Sequence, residues 1–145
     1  MIEIRAAQKE DVPVVMKTAK YFYKSEKDLE QRLLESVGTS FVIKDSLGRI
    51  GIMFGYSQPW QGVLEIWSVT TISFDYSKKS YHRFAKEKIE EVFETLPGIH
   101  RMQIYVKAKY PHLQRWAEGL GFTYEGRHPM MGPDKEEYLS FGRVK

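Results

Sequence analysis

Cysteine is absent from the 145 residues, which excludes disulfides, thiolate metal ligands, cysteine-bound iron–sulfur clusters and a cysteine nucleophile. Long apolar runs are also absent. No stretch approaches the roughly 18 residues that a membrane-spanning helix needs, and the opening MIEIRAAQKEDVP lacks the apolar core of a signal peptide. These absences predict a cytoplasmic protein with no membrane partner.

Neither sign of charge predominates, since 22 Lys and Arg residues stand against 19 Asp and Glu residues and give a net charge of +3. Dedicated nucleic-acid binders carry a much larger basic excess. The densest basic cluster is KKSYHR at residues 78–83, and it keeps a small nucleic-acid-binding domain open as a minor alternative. The four histidines lack metal-ligand spacing, so we predict no metal site.

The apolar pattern predicts one domain, residues 1–145, in which short strands alternate with amphipathic helices. Strands are predicted over residues 2–7, 41–44, 50–56, 63–73, 102–106, 122–125 and 137–141. Helices are predicted after Asp11 as the N-cap, from Ser25 to about Ser36, from Tyr81 to Leu96, and over residues 113–120 with Gly121 as a left-handed cap. The element order is therefore β-α-α-β-β-β-α-β-α-β-β.

This order resembles the GCN5-related N-acetyltransferase (GNAT) superfamily. The segment IRAAQKEDVPVV is similar to the family's opening strand and helix, and RWAEGLGFTYEG is similar to its junction x-Y-E-K-L-G-F-x-x-E-G. The resemblance implies an α/β (α+β) fold, with a mixed central sheet of about six to seven strands flanked by about four helices. The resemblance also implies that acetyl-CoA is the cosubstrate. It implies that a primary amine of a small molecule or peptide attacks the acetyl group directly. A homodimer is left open.

The family motif R/Q-x-x-G-x-G/A, which binds the CoA pyrophosphate at a helix N-terminus, matches this chain poorly. Aligned on a helix that begins at Arg83, the motif falls on residues 77–82, where Ser80 and His82 replace its two glycines. No glycine occurs between Val63 and Pro97, so another register does not restore the motif. Cationic side chains would then provide part of the pyrophosphate binding that the glycines provide in the family. The alternative is that KKSYHR is an ordinary solvated helix start.

The cofactor-binding prediction combines this segment with the end of the central strand. Backbone groups of the strand end would hold the pantetheine and the thioester carbonyl. The predicted residues are Thr70, Thr71, Ile72, Ser77, Lys78, Lys79, Ser80, Tyr81, His82 and Arg83.

Two catalytic residues are predicted. Glu65 is a lone carboxylate in the central strand VLEIWSV, at a position similar to the base of histone-type relatives, although it could instead be a solvated strand end. The family's usual leaving-group acid, a tyrosine, is matched by Ala117 here. Tyr110 is predicted to reach the thiol region from another angle, and its alternative is an exposed aromatic before a proline.

The acceptor side is predicted to be an aromatic wall that suits an apolar or cationic amine through stacking or cation–π contacts. Core packing is the alternative for these side chains. The residues are Tyr21, Phe22, Tyr23, Tyr56 and Trp60.

The departures from the family motifs support a second hypothesis from a different class. A GNAT-like domain that has lost catalysis would act as a binding or structural module, as in small GNAT-like proteins of tailed phages with eroded phosphate loops. Binding of acetyl-CoA distinguishes this hypothesis from a nucleic-acid-binding domain, whose affinity would depend strongly on salt.

Overall fold

The computed structural model describes residues 2–20 and 28–145. In these ranges the strands are β1 (Glu3–Ala6), β2 (Ser40–Lys44), β3 (Ile50–Trp60), β4 (Val63–Thr70), β5 (Arg101–Lys107), β6 (Thr123–His128) and β7 (Tyr138–Val144). The α-helices are α1 (Asp11–Thr18), α2 (Leu29–Glu35), α3 (Lys78–Thr95) and α4 (Pro111–Gly119). Short 3₁₀ turns cover Val37–Thr39 and Ile72–Tyr76.

The strands form one mixed sheet in the order β1-β2-β3-β4-β5-β7-β6. The β4–β5 pair is parallel, whereas β1 with β2, β2 with β3, β5 with β7 and β6 with β7 are antiparallel. Parallel neighbours need a crossover, and α3 provides it between β4 and β5. The predicted fold class, a mixed sheet of six to seven strands with about four helices, is confirmed.

The chain divides into two compact units, one of Met1–Ser57 with Trp67–Glu90 and one of Gln58–Ile66 with Glu91–Lys145. The predicted single domain stays a prediction. The core of the first unit contains Val12, Val15, Leu33, Ile43 and Ile52, each at most 2% exposed. The core of the second contains Leu64, Met102, Ala117, Leu120 and Phe141, also at most 2% exposed.

The predicted start of the third helix differs from the structure. The third helix begins at Lys78, earlier than either Tyr81 or Arg83, because the capping residue Ser77 already accepts a backbone hydrogen bond from Tyr81 N–H at 3.0 Å. The start predicted at Ser25 lies outside the described residues. Gly121 has φ +92° directly after α4, so its predicted left-handed conformation is confirmed.

Asp11 is the first residue of α1, and the N-cap position that we predicted for it belongs to Glu10. The Asp11 carboxylate instead accepts two hydrogen bonds of 2.8 Å from the Arg5 guanidinium and one of 2.8 Å from Gln8 N–H. Burial acts to raise the pKa of Asp11, but these bonds outweigh it and hold that pKa below its usual value. The ion pair thereby joins β1 to the start of α1.

No helix among the described residues is both long enough and apolar enough to cross a membrane.

Asp11→Asn is expected to lower the stability of the protein by about 2 kcal/mol at neutral pH, because Arg5 loses a charged acceptor. The pKa of Asp11 is lower in the folded protein than in the unfolded chain, so the stabilisation is complete above the unfolded value of about 4. It is lost as the pH falls towards the folded value. Thermal unfolding should therefore show a gap between wild type and variant that narrows on acidification.

The control is Asp134→Asn, which removes an exposed carboxylate and should leave the unfolding curve unchanged. A gap for Asp11→Asn that is constant from neutral to acidic pH would contradict the assignment.

Candidate functional site

The Tyr81 side chain lies in the core of the first unit. Its side chain is 0% exposed and its ring stacks on Phe74 with centroids 5.5 Å apart. A Cβ on Gly51 of β3 would lie 2.2 Å from the Tyr81 ring, so the glycine makes room for the tyrosine. Burial raises the pKa of the Tyr81 phenol. The Tyr81 side chain therefore packs in the core, because α3 turns it towards the sheet, and the cofactor-binding role predicted for Tyr81 stays a prediction.

The N-terminus of α3 presents backbone donors and cations together. The first intrahelical bond uses Tyr81 N–H, so the N–H groups of Lys78, Lys79 and Ser80 precede the helical ladder. Lys78 and Lys79 are exposed, and Ser80 is half-buried. These groups and the helix dipole favour an anion at this end of α3. His82 and Arg83 lie within the helix rather than in a phosphate loop.

One carboxylate lies beside these cations. Asp75 accepts a hydrogen bond of 2.9 Å from Lys20 Nζ and forms an ion pair of 3.6 Å with Lys78. The Lys20 hydrogen bond holds the pKa of Asp75 below its usual value, with Lys78 adding to the effect. Asp75 therefore neutralises part of the positive charge at the start of α3. Sequence reasoning missed Lys20 and Asp75, whose contact joins residues far apart along the chain.

The end of β4 is already hydrogen-bonded within the first unit. Thr71 is fully buried, and its hydroxyl donates to Ile50 O at 2.6 Å. Thr71 N–H donates to Gly51 O, and Thr70 O accepts from Lys20 N–H at 3.1 Å. These side-chain and backbone groups are thus committed to the protein, while Ile72 is 62% exposed. The predicted contacts of Thr70 and Thr71 with a pantetheine would have to use their other backbone groups.

Glu65 is half-buried on β4, in the second unit. Its register partner across the parallel ladder is Gln103 of β5, and this is the last of the three residue pairs that join the strands. Gln103 Nε2 donates to Glu65 Oε1 at 3.3 Å. Sequence reasoning missed Gln103, although an uncharged polar residue inside the strand RMQIYVK is a signal that could have pointed to it.

The residues that were predicted to act at the thioester are divided between the two units. Thr70 belongs to the first unit, whereas Glu65 and Tyr110 belong to the second. Strands rise about 3.3 Å per residue, so β5 extends about 13 Å from Gln103, the register partner of Glu65, to its end at Lys107, and Tyr110 follows after that end. The roles of Glu65, Thr70 and Tyr110 stay predictions.

Tyr110 and Ala117 both belong to α4 and its N-cap. Tyr110 is the N-cap residue, half-buried, with Lys109 Nζ 5.3 Å from its ring centroid and the His112 ring 5.7 Å away. Ala117 is 0% exposed on the inner face of α4. Core packing thus accounts for the alanine at the position where the family resemblance expects a tyrosine.

The predicted aromatic wall is described only in part. Tyr56 is half-buried near the end of β3, and Trp60 at its last residue is 62% exposed. Tyr21, Phe22 and Tyr23 lie outside the described residues. Over residues 2–20 and 28–145, no group of three or more His, Asp or Glu side chains is arranged to hold a metal ion.

Comparison of the fold with solved structures gives acetyltransferases. A GNAT-family acetyltransferase from Bacillus anthracis superposes with a TM-score of 0.78 at 14% identity, covering 99% of this chain and 94% of that one. A spermidine N-acetyltransferase chimera from Vibrio cholerae and hSSAT gives 0.77 at 14% identity, covering 99% and 95%. The Vibrio cholerae spermidine/spermine N-acetyltransferase solved with manganese ions gives 0.72 at 13% identity, covering 99% and 92%.

Over the described residues, the chain therefore shares the fold of these acetyltransferases. The sequence itself matches no family model and no curated protein.

Tyr81→Phe tests whether this residue belongs to the core or to a cofactor site. Among the described residues the Tyr81 hydroxyl has no hydrogen-bond partner, so its removal should leave the protein at least as stable as wild type in thermal unfolding. The affinity for acetyl-CoA should be unchanged in calorimetry. Weaker binding by Tyr81→Phe at unchanged stability would instead support Tyr81 as a cofactor-binding residue.

Proposed function

We propose that this protein is an N-acetyltransferase that transfers the acetyl group of acetyl-CoA to a primary amine by direct attack. The observation that carries the proposal is a half-buried carboxylate, Glu65, on the central strand of a GNAT fold, where the parallel β4–β5 ladder ends. Its neighbour in the sheet is the neutral amide of Gln103. Glu65 is therefore a base whose charge is not neutralised by a direct ion pair among the described residues.

The residues at the start of α3 fit a pyrophosphate. Three backbone N–H groups precede the helical ladder, and the exposed Lys78 and Lys79 flank them. Cationic residues at a helix N-terminus oppose the helix dipole by about 0.3–1 kcal/mol each, and an anion bound between them removes that penalty. Ser80, in place of a motif glycine, adds a hydroxyl donor but hinders the closest approach of phosphate to the backbone.

The two roles are proposed on the geometry of each unit separately. The start of α3, in the first unit, would hold the pyrophosphate, and Glu65, in the second unit, would act as the base.

Acetyl-CoA, when bound, supplies an acetyl group on a sulfur that can depart as a thiolate. Glu65 accepts the proton that the amine nitrogen loses as the new carbon–nitrogen bond forms and the carbon–sulfur bond breaks. Gln103 occupies one carboxylate oxygen, which leaves the other to face the amine. General-base catalysis of this kind contributes typically about 10²- to 10⁴-fold to a rate.

The proposed mechanism assigns no side chain to protonate the sulfur. Tyr110 follows the carboxyl end of β5 and Ala117 belongs to the core, so the proposal rests no step on either residue. The bond pair of the carbon–sulfur bond then leaves on the thiolate, which takes a proton from solvent. We expect a slow enzyme as a result.

A second candidate is a GNAT-fold protein that binds a partner or a CoA compound without catalysis. The observation that favours it is the start of α3, where a continuous helix with Tyr81 in the core stands in place of a glycine-rich loop. Acetyl-CoA binding without acetyl transfer to any amine would select this candidate.

The phosphate site is tested by reversing two charges. Lys78→Glu with Lys79→Glu should weaken acetyl-CoA binding by about 10- to 100-fold in calorimetry, because hydrogen bonds between charged groups contribute about 1.5–3 kcal/mol. The fold should remain intact, since acidic residues in the first turn of a helix are favourable.

The matched control is Lys9→Glu with Lys86→Glu, which changes the net charge equally at two exposed positions away from the start of α3. Equal affinity for acetyl-CoA in the test and control variants would remove the phosphate site from α3.

The base is tested with Glu65→Gln, which keeps the shape of the side chain and removes its charge. The kcat for acetyl transfer to an amine should fall by about 10²- to 10⁴-fold, while the KM for acetyl-CoA changes little. The control Glu118→Gln replaces an exposed carboxylate on α4 by an amide and should leave kcat unchanged. Full turnover by Glu65→Gln would show that the amine arrives deprotonated or uses another base.

A further inference from the structure

A line of hydrogen bonds in the second unit joins side chains of β4, β5 and β6, passes over β7, and ends at Glu65. Gln103 Oε1 accepts from Arg101 Nε at 3.1 Å, and Gln103 Nε2 donates to Glu65 Oε1 at 3.3 Å. The Arg101 guanidinium also donates to both carboxylate oxygens of Glu125, one of them at 3.0 Å. We call Glu65, Gln103, Arg101 and Glu125 the relay.

The orientation of the Gln103 amide is determined by its neighbours. Gln103 is 7% exposed, so its amide depends on protein partners. An arginine has donors only, so the group facing Arg101 must be the amide oxygen. The amide nitrogen is then turned towards Glu65 and donates to its carboxylate, which can only accept a hydrogen bond.

The far end of the relay is fixed by the backbone. The β6–β7 register shifts between Tyr124 and Gly126, and the extra residue in this bulge is Glu125. Bulges redirect a side chain, and here the carboxylate lies over Gly142 of β7. A Cβ on Gly142 would lie 2.4 Å from Glu125 Oε1. The glycine thus leaves the space in which Glu125 meets Arg101.

The charges along the relay suit a base. The positive charge of Arg101 is balanced by the carboxylate of Glu125. The hydrogen bonds from Arg101 hold the pKa of Glu125 below its usual value. Glu65 therefore receives a neutral donor rather than a cation. A lysine or arginine directly on Glu65 would stabilise the ionised carboxylate and weaken it as a base. The neutral amide of Gln103 holds Glu65 Oε1 in place and stabilises the charge of the carboxylate much less than a cation would.

We propose that Gln103 and Arg101 are positioning residues that hold the Glu65 carboxylate in one orientation for proton abstraction, with Glu125 and Gly142 anchoring the relay. This inference rests on the proposed function for its catalytic meaning. The hydrogen-bond relay itself can be measured without any activity.

The kinetic test uses Gln103→Leu and Arg101→Gln. Each should lower kcat by about 10- to 100-fold, because a misplaced catalytic group costs up to that much. The KM values for acetyl-CoA and amine should stay within about twofold, since the phosphate site is untouched. The control Arg127→Gln removes a comparable ion pair, with Glu137, on the same sheet and should change neither constant. Unchanged kcat in both relay variants would overturn the catalytic role.

The structural test follows the side-chain amide resonances of Gln103 by NMR in the full-length protein. They should shift in Arg101→Gln and in Glu65→Gln, and stay in place in Arg127→Gln. If the Gln103 resonances do not shift in Arg101→Gln or do not shift in Glu65→Gln, the relay is overturned, whatever the activity. If the wild type transfers no acetyl group while the resonances behave as expected, the relay stands and the proposed function fails.

Discussion

Three parallel residue pairs between β4 and β5 are the contact on which the candidate site depends. The last pair sets the Glu65 carboxylate beside the Gln103 amide, at a point where both strands continue beyond their ladder. A shift of one residue in this register would turn one of the two side chains to the opposite face of the sheet. The buried neighbours Leu64 and Met102, both 0% exposed, make such a shift costly. Core packing therefore fixes the position of the polar pair.

The start of α3, in the first unit, and Glu65, in the second unit, carry charge in different settings. At α3, exposed lysines and the N–H groups that precede the helical ladder concentrate positive potential, and Asp75 offsets part of it through Lys20 and Lys78. At Glu65, a single half-buried carboxylate accepts a hydrogen bond from the Gln103 amide. The first arrangement favours an anionic ligand, and the second is a carboxylate without a direct ion pair among the described residues.

Much of the fold could be predicted because strand alternation, helical spacing and the left-handed Gly121 are local features. The start of α3 could not be, since KKSYHR combines charge typical of a surface with Tyr81, whose burial depends on Gly51 thirty residues earlier. The partner of Glu65 was missed for a related reason, because Gln103 reaches it only through a strand pairing 38 residues away. Glu65 itself stood out as a lone carboxylate in an apolar strand. Its role as a base stays a proposal.

Acetyl transfer from acetyl-CoA to a primary amine is tested most directly by incubating the purified protein with isotope-labelled acetyl-CoA and a mixture of primary amines, then identifying the products by mass spectrometry. We expect a labelled N-acetyl amine formed in equal amount to free CoA, slowly but well above the rate without protein. Hydrolysis of acetyl-CoA alone, or no product above the protein-free background, would contradict it.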